Sequence, residues 1–176
     1  MDARESAQGR ITTERLALVQ HQLTPAPLSR PSPTPANKPI IMARDPITCH
    51  CLNTLTGTPA ANLPVTLTLL SSSTPVTFHA TTNADGRVAQ WTPTGGAATS
   101  VPKLLEALPT AESKTNWAVR FEVGPWYEAQ GIESFWPEVE VKFTVKGRGR
   151  EGEEGWRHYH VPVLLGPWNY STYRGS

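Results

Sequence analysis

Cysteine occurs only at positions 49 and 51, too sparse for the bridge framework of a small secreted domain. On a strand the two thiols would share one face, with His50 between them on the other, so no joint Cys/His metal site is expected. They read as small buried thiols of a reducing compartment. Net charge is scarce too. Sixteen Lys and Arg against fifteen Asp and Glu leave +1, which gives no reason to expect nucleic acid or an anionic membrane as a partner. No apolar run approaches the roughly 20 residues that span a bilayer. The N-terminus lacks an apolar segment of secretory type, so no such signal is expected. At 176 residues, the length suits one domain with an extension.

Composition changes near residue 40. Residues 1–44 read as an extension, with a Pro-, Ser- and Thr-rich run over 24–39 whose prolines remove backbone donors and favour extended linker conformations. Upstream, Leu16, Val19 and Leu23 have the spacing of one helical face. The same stretch, Arg15-Leu16, five residues, then Gln22-Leu23, resembles the nonapeptide of the second-type peroxisomal targeting signal. That resemblance implies an import receptor as partner and a peroxisomal location; without it the expectation is cytoplasmic.

Residues 45–176 read as an all-β domain. Ile47–Leu52, Val65–Leu70, Val76–Thr82, Val88–Trp91, Trp117–Val123 and Val139–Val145 have strand composition or period-two alternation, separated by turn signals such as Asn83-Ala-Asp-Gly86. Residues 159–165 and 169–173 bring the number to eight. Pro125–Gly131 carries helix start and stop signals, and Val101–Leu108, inside an irregular insertion over 93–114, allows a helical turn or two. Charged, glycine-rich residues 146–155 read as a solvated loop tip. Short, regularly spaced strands with one small helix predict a sandwich or barrel.

The C-terminus is the unusual part. Chain ends are commonly polar and frayed, yet this one stays apolar and aromatic nearly to Ser176. Alternation puts His158 and His160 on one strand face. Neutral imidazoles suit proton transfer near neutral pH, and a guanidinium such as Arg87 suits carbonyl oxygens and developing negative charge. His158 and His160 could instead supply two zinc ligands with His50 as the third, but no acidic residue is evidently placed to support them, and the reading is metal-free. Ser171 lacks the Gly-x-Ser-x-Gly surroundings of a nucleophile.

Taken together, Ile47-Thr-Cys-His50, Asn83-Ala-Asp-Gly-Arg87, Arg120-Phe-Glu-Val-Gly-Pro125, His158-Tyr-His-Val-Pro162 and Tyr173-Arg-Gly-Ser176 resemble the 5-hydroxyisourate hydrolase family, transthyretin-like enzymes of urate degradation. The resemblance spans residues 45–176; Cys51 and Asn53 stand where the family more often has Val and Asp. It implies a transthyretin-like (prealbumin-like) β-sandwich of seven to eight strands with one short helix. It also implies a homotetramer, a dimer of dimers with its sites at the dimer–dimer channel. The implied reaction is hydrolysis of 5-hydroxyisourate to 2-oxo-4-hydroxy-4-carboxy-5-ureidoimidazoline, without a cofactor. His50, Arg87 and His160 match the catalytic positions, and Ser171, Tyr173, Arg174, Gly175 and Ser176 would bind substrate. Gly175 is expected to permit a turn closed to other residues. The alternative is a small-molecule carrier of the transthyretin type, which needs no His or Arg in its slot.

Overall fold

Strand alternation in this chain sorts apolar side chains to one side and polar or imidazole side chains to the other. The computed structural model shows what that sorting builds; it describes residues 44–96 and 98–176. The targeting-like segment and the Pro-rich run lie outside the described residues.

Two sheets face each other. In the first, β1 (Ile47–Asn53) is central, flanked by β9 (Tyr159–Leu165) on one side and by the two-residue strands β2 (Thr58–Pro59) and β5 (Arg87–Val88) on the other. The edge strand β10 (Tyr170–Thr172) pairs with β9. The second sheet runs β6 (Thr92–Pro93), β4 (Val76–Thr81), β3 (Pro64–Leu69), β7 (Lys114–Phe121), β8 (Val139–Lys146). All pairings are antiparallel except β1 with β9, which run parallel.

The core is what alternation predicts. Ile47, Cys49 and Cys51 of β1 and Val161, Val163 and Leu165 of β9 meet Val65, Leu67, Phe78, Trp117, Val119 and Phe121 of the second sheet, all buried. Each such aliphatic or aromatic side chain contributes roughly 1.5–3 kcal/mol relative to exposure. Their polar tips are satisfied. Trp91 Nε1 donates to Ile47 O at 2.8 Å, Trp117 Nε1 to Thr115 Oγ1 at 2.8 Å, and the Tyr127 hydroxyl to Asn53 Oδ1 at 3.0 Å. Asn53 is buried, and a neutral amide serves there without a counter-charge. Burial pushes the Cys51 thiol up to about 12 and Cys49 higher, so both remain protonated packing groups.

Among the described residues there are ten strands against the eight expected. The strand expected over 88–91 gives way to two short ones at its ends, β5 closing at Val88 and β6 opening at Thr92, and Thr58–Pro59 adds β2. The described residues also hold two short α-helices. In the insertion, α1 (Val101–Glu106) begins at Ser100, whose hydroxyl accepts from Lys103 N at 3.4 Å, and anchors itself through buried Val101 and Leu105. The second, α2 (Val123–Glu128), follows β7 directly, so Val123 belongs to the helix and not to the strand.

The charged loop after β8 is not a free tip. Arg150 grips Glu106 of α1 with a two-pronged fork, Nε to Oε1 at 2.7 Å and Nη2 to Oε2 at 3.2 Å. Arg148 Nη1 donates to Pro109 O at 3.0 Å, and Lys146 pairs with Glu112. The insertion and the loop therefore brace each other.

Candidate active site

Register decides which side chains meet. Directly paired residues on neighbouring strands point to the same face. The parallel register sets Thr48 beside His160, and the antiparallel β5 sets Arg87 beside His50. These four residues therefore share the face turned away from the core, where Thr48 is buried and His50 and His160 are half-buried.

The turn before β5 fixes Arg87. Asn83 Oδ1 accepts from Asp85 N at 3.0 Å and Arg87 N at 2.9 Å. Gly86 has φ +70°, and a Cβ there would lie 2.3 Å from Cys51 O. Only glycine fits that close, left-handed position. Gly86 O in turn accepts from Cys51 N at 2.8 Å, tying the turn to β1.

His160 and Arg87 line a cleft of about 190 Å³ together with Arg44, Thr48, His158 and Ser176. Four aromatic rings form a ladder that runs beyond it, since His158 and His160 line the cleft and Trp156 and His50 do not. Trp156 stacks on His158 at 6.4 Å, His158 on His160 at 6.2 Å, and His160 on His50 at 6.4 Å between ring centres. Thr48 Oγ1 lies 2.7 Å from His160 Nδ1 and 3.0 Å from His158 Nε2.

The electrostatics favour uncharged imidazoles. Burial, then Arg87, His158, His50 and Arg44, push His160 down to about 4. His50 is lowered by burial and by Arg87, with the Asp85 backbone and carboxylate acting the other way. His158 is lowered by burial, Arg44 and Arg174, opposed by Glu151. At neutral pH His160 thus presents a lone pair, and Arg87 supplies fixed positive charge nearby.

The C-terminal tail divides between two places. Gly175 N donates to His160 O at 2.9 Å, forming a bridge that seats Ser176 in the cleft. Gly175 is required for close approach and not for a turn. Its φ is not left-handed, but a Cβ would lie 2.7 Å from His160 Cδ2 and 2.9 Å from Pro162 Cγ. Tyr173 and Arg174 line a second, more apolar groove with Val141, Phe143 and His160, which borders both, and the Arg174 guanidinium sits there 5.5 Å from the Tyr159 ring centre. Ser171 pairs with Leu164 and faces the same way as His160, but about 13 Å further along the strand.

Within one chain, then, Arg87, His160 and Ser176 line the cleft, with Gly175 bridged to His160 and the His50 ring beside it, Tyr173 and Arg174 meet His160 in the second groove, and Ser171 lies apart. Sequence reasoning missed Thr48 and Arg44 and left His158 outside the site. Thr48 was discoverable, because it sits two residues before His50 and shares its face. Arg44 precedes β1 in irregular chain, where no periodicity reports direction. Among the described residues, no group of three or more His, Cys, Asp or Glu side chains is clustered so as to hold a metal ion.

Residues 47–175 match the HIUase/Transthyretin family. A probable 5-hydroxyisourate hydrolase of Schizosaccharomyces pombe is 40% identical over 135 residues, covering 74% of this chain and 90% of that protein. The 5-hydroxyisourate hydrolase of Mus musculus is 33% identical, covering 74% of this chain and 95% of that protein. Among solved structures, the 5-hydroxyisourate hydrolase of Klebsiella pneumoniae aligns with a TM-score of 0.51 at 30% identity, over 74% of this chain and 97% of its own. Transthyretin from Sparus aurata aligns with a TM-score of 0.54 at 22% identity, over 75% of this chain and 97% of its own, a likeness of fold alone. With all but a few residues of its sandwich matched, the chain belongs to the HIUase/Transthyretin family.

Proposed function

We infer that this chain is a 5-hydroxyisourate hydrolase of urate degradation. The observation that carries the reading is the cleft itself. A neutral imidazole, His160, stands with the Arg87 guanidinium and Ser176 in a chain that is 40% identical over 135 residues to a probable enzyme of that name. Opening a ring amide with water needs a proton acceptor, charge stabilisation for the oxyanion, and a proton for the departing nitrogen. In this reading His160 takes the proton from the attacking water. Arg87 stabilises the negative charge that develops on the carbonyl oxygen. The same proton passes from His160 to the ring nitrogen as the C–N bond breaks, and His50, 6.4 Å away between ring centres, is the second imidazole that orients or relays it. Freshly made 5-hydroxyisourate, followed by its ultraviolet decay with purified protein, should disappear well above the spontaneous rate. Decay at the spontaneous rate would refute the assignment.

Two further features belong to the same proposal. The chain assembles as a homotetramer, a dimer of dimers. Support comes from the His-bearing sheet face, where Leu52 is only half-buried and Leu164 remains 39% exposed. A second subunit over that face would bring its own Ser171, Tyr173 or Arg174 toward the cleft, which they do not line within one chain. Sedimentation of the purified protein tests it. The enzyme also enters the peroxisome through Arg15, Leu16, Gln22 and Leu23, a reading supported by the sequence pattern. A fluorescent fusion that still reaches peroxisomes after Arg15 and Leu16 are both changed to Ala would remove that claim.

A further inference from the structure

Resting on the hydrolase reading, we propose that the Thr48 hydroxyl joins His160 to His158 as a proton relay, so that the proton taken from water comes to rest on His158. The geometry carries this. One hydroxyl oxygen lies 2.7 Å from His160 Nδ1 and 3.0 Å from His158 Nε2. A hydroxyl has a single hydrogen, so it donates to one ring and accepts from the other. The two imidazoles are therefore bound to complementary tautomers. When His160 Nδ1–H donates to Thr48, Thr48 donates to His158 Nε2, and His160 keeps its lone pair on Nε2 as a base. In the opposite setting His160 carries its hydrogen on Nε2 and is an acid.

Transfer along the chain interconverts the two. A water proton moves to His160 Nε2 while the water oxygen bonds to the carbonyl carbon. The Nδ1 proton passes to Thr48 Oγ1, and the hydroxyl's own proton passes to His158 Nε2. His160 has gained one proton and lost one, so it stays neutral, and His158 becomes the cation. Running the relay backwards returns the proton through His160 Nε2 to the departing nitrogen.

The charges around the two rings favour this destination. His160 faces Arg87, His50 and Arg44, each of which opposes an imidazolium. An imidazole held near 4 is alone a weak acceptor at neutral pH. At His158, burial, Arg44 and Arg174 also oppose a cation, but Glu151 favours it. The Trp156 indole lies nearly parallel to the His158 ring, at 17° with 6.4 Å between ring centres. Trp156 is itself carried on the loop that Arg150 clamps to Glu106. Thr48 and His158 are thus positioning residues acting through His160.

Four variants test the relay with freshly made 5-hydroxyisourate: Thr48→Val, which keeps the shape and removes the hydroxyl, Thr48→Ser, His158→Gln, and the double variant Thr48→Val/His158→Gln. Thr48→Val and His158→Gln should each lower kcat by about tenfold or more with KM unchanged. Thr48→Ser should restore turnover. The double variant should fall no further than either single one, because both cut the same chain. Nitrogen-15 spectra of the substrate-free protein should show His160 in one dominant tautomer, lost in Thr48→Val. Full turnover by Thr48→Val, additive losses in the double variant, or mixed His160 tautomers in the unaltered protein would each overturn the relay. If the unaltered protein does not hydrolyse the substrate at all, the hydrolase reading fails, and the nitrogen spectra still decide whether the relay exists.

Discussion

At His160, burial and every neighbouring cation or imidazole push in one direction, and two consequences follow. The first concerns activity. Substituting Arg87 by Ala removes the stabilising charge and should cost roughly 100-fold or more in kcat. Losing that cation also lets His160 rise from about 4 toward its ordinary 6.5. The acid limb of kcat/KM should therefore move to higher pH in R87A, which a pH–rate profile would measure. An unmoved limb would mean that another group sets it. The second concerns stability. Between 6.5 and about 4 the unfolded chain binds a proton at this position that the folded chain refuses. Stability from the neutral ring is thus present above 6.5 and is lost as pH falls through that window. Calorimetry should show Tm decreasing from pH 7 to pH 4, and less steeply in His160→Gln. Much of this was legible beforehand. His50, Arg87 and His160 could be picked out by residue type and motif. Thr48 could not be weighted from type alone, since threonine is ordinary in strands and only the β1–β9 register reveals that its hydroxyl meets two rings.

Among the elements, the tail shows where pattern reading stops. Alternation placed most long strands within a residue or two of their observed limits, because one face of each is buried and the other is not, but β7 starts at Lys114, three residues before the expected Trp117. It gave no access to β2 and set one strand over 88–91 between β5 and β6, since strands of two residues have no period to detect. Nor could it show that the tail bridges to β9 through a glycine chosen for contact distance. Gly175→Ala should push the tail away from His160 and Pro162, since the added carbon falls within 3 Å of both side chains. We expect a large loss of turnover with a small change in Tm, because the sandwich core is untouched. Deleting 173–176 should do the same. A truncated protein that hydrolyses substrate at the full rate would place the site elsewhere.

For the molecule as a whole, the proposed homotetramer places a subunit contact on the outward face of the first sheet. Replacing Leu164 with Arg puts a charge on a 39% exposed apolar position at that face. Sedimentation velocity should then report a smaller species than the unaltered protein, with activity falling in step; an unchanged particle would locate the contact on another surface. The parallel pairing of β1 with β9 has a further consequence, in time instead of space. Thr48 and His160 are separated by 112 residues. The strand holding half the site is made 112 residues before its partner. Until then β1 lacks its main neighbour and presents an open edge to other chains. Contacts so distant in sequence slow folding, because the intervening chain must close before they form. Nascent chains stalled before residue 159 should accordingly be inactive and prone to aggregate.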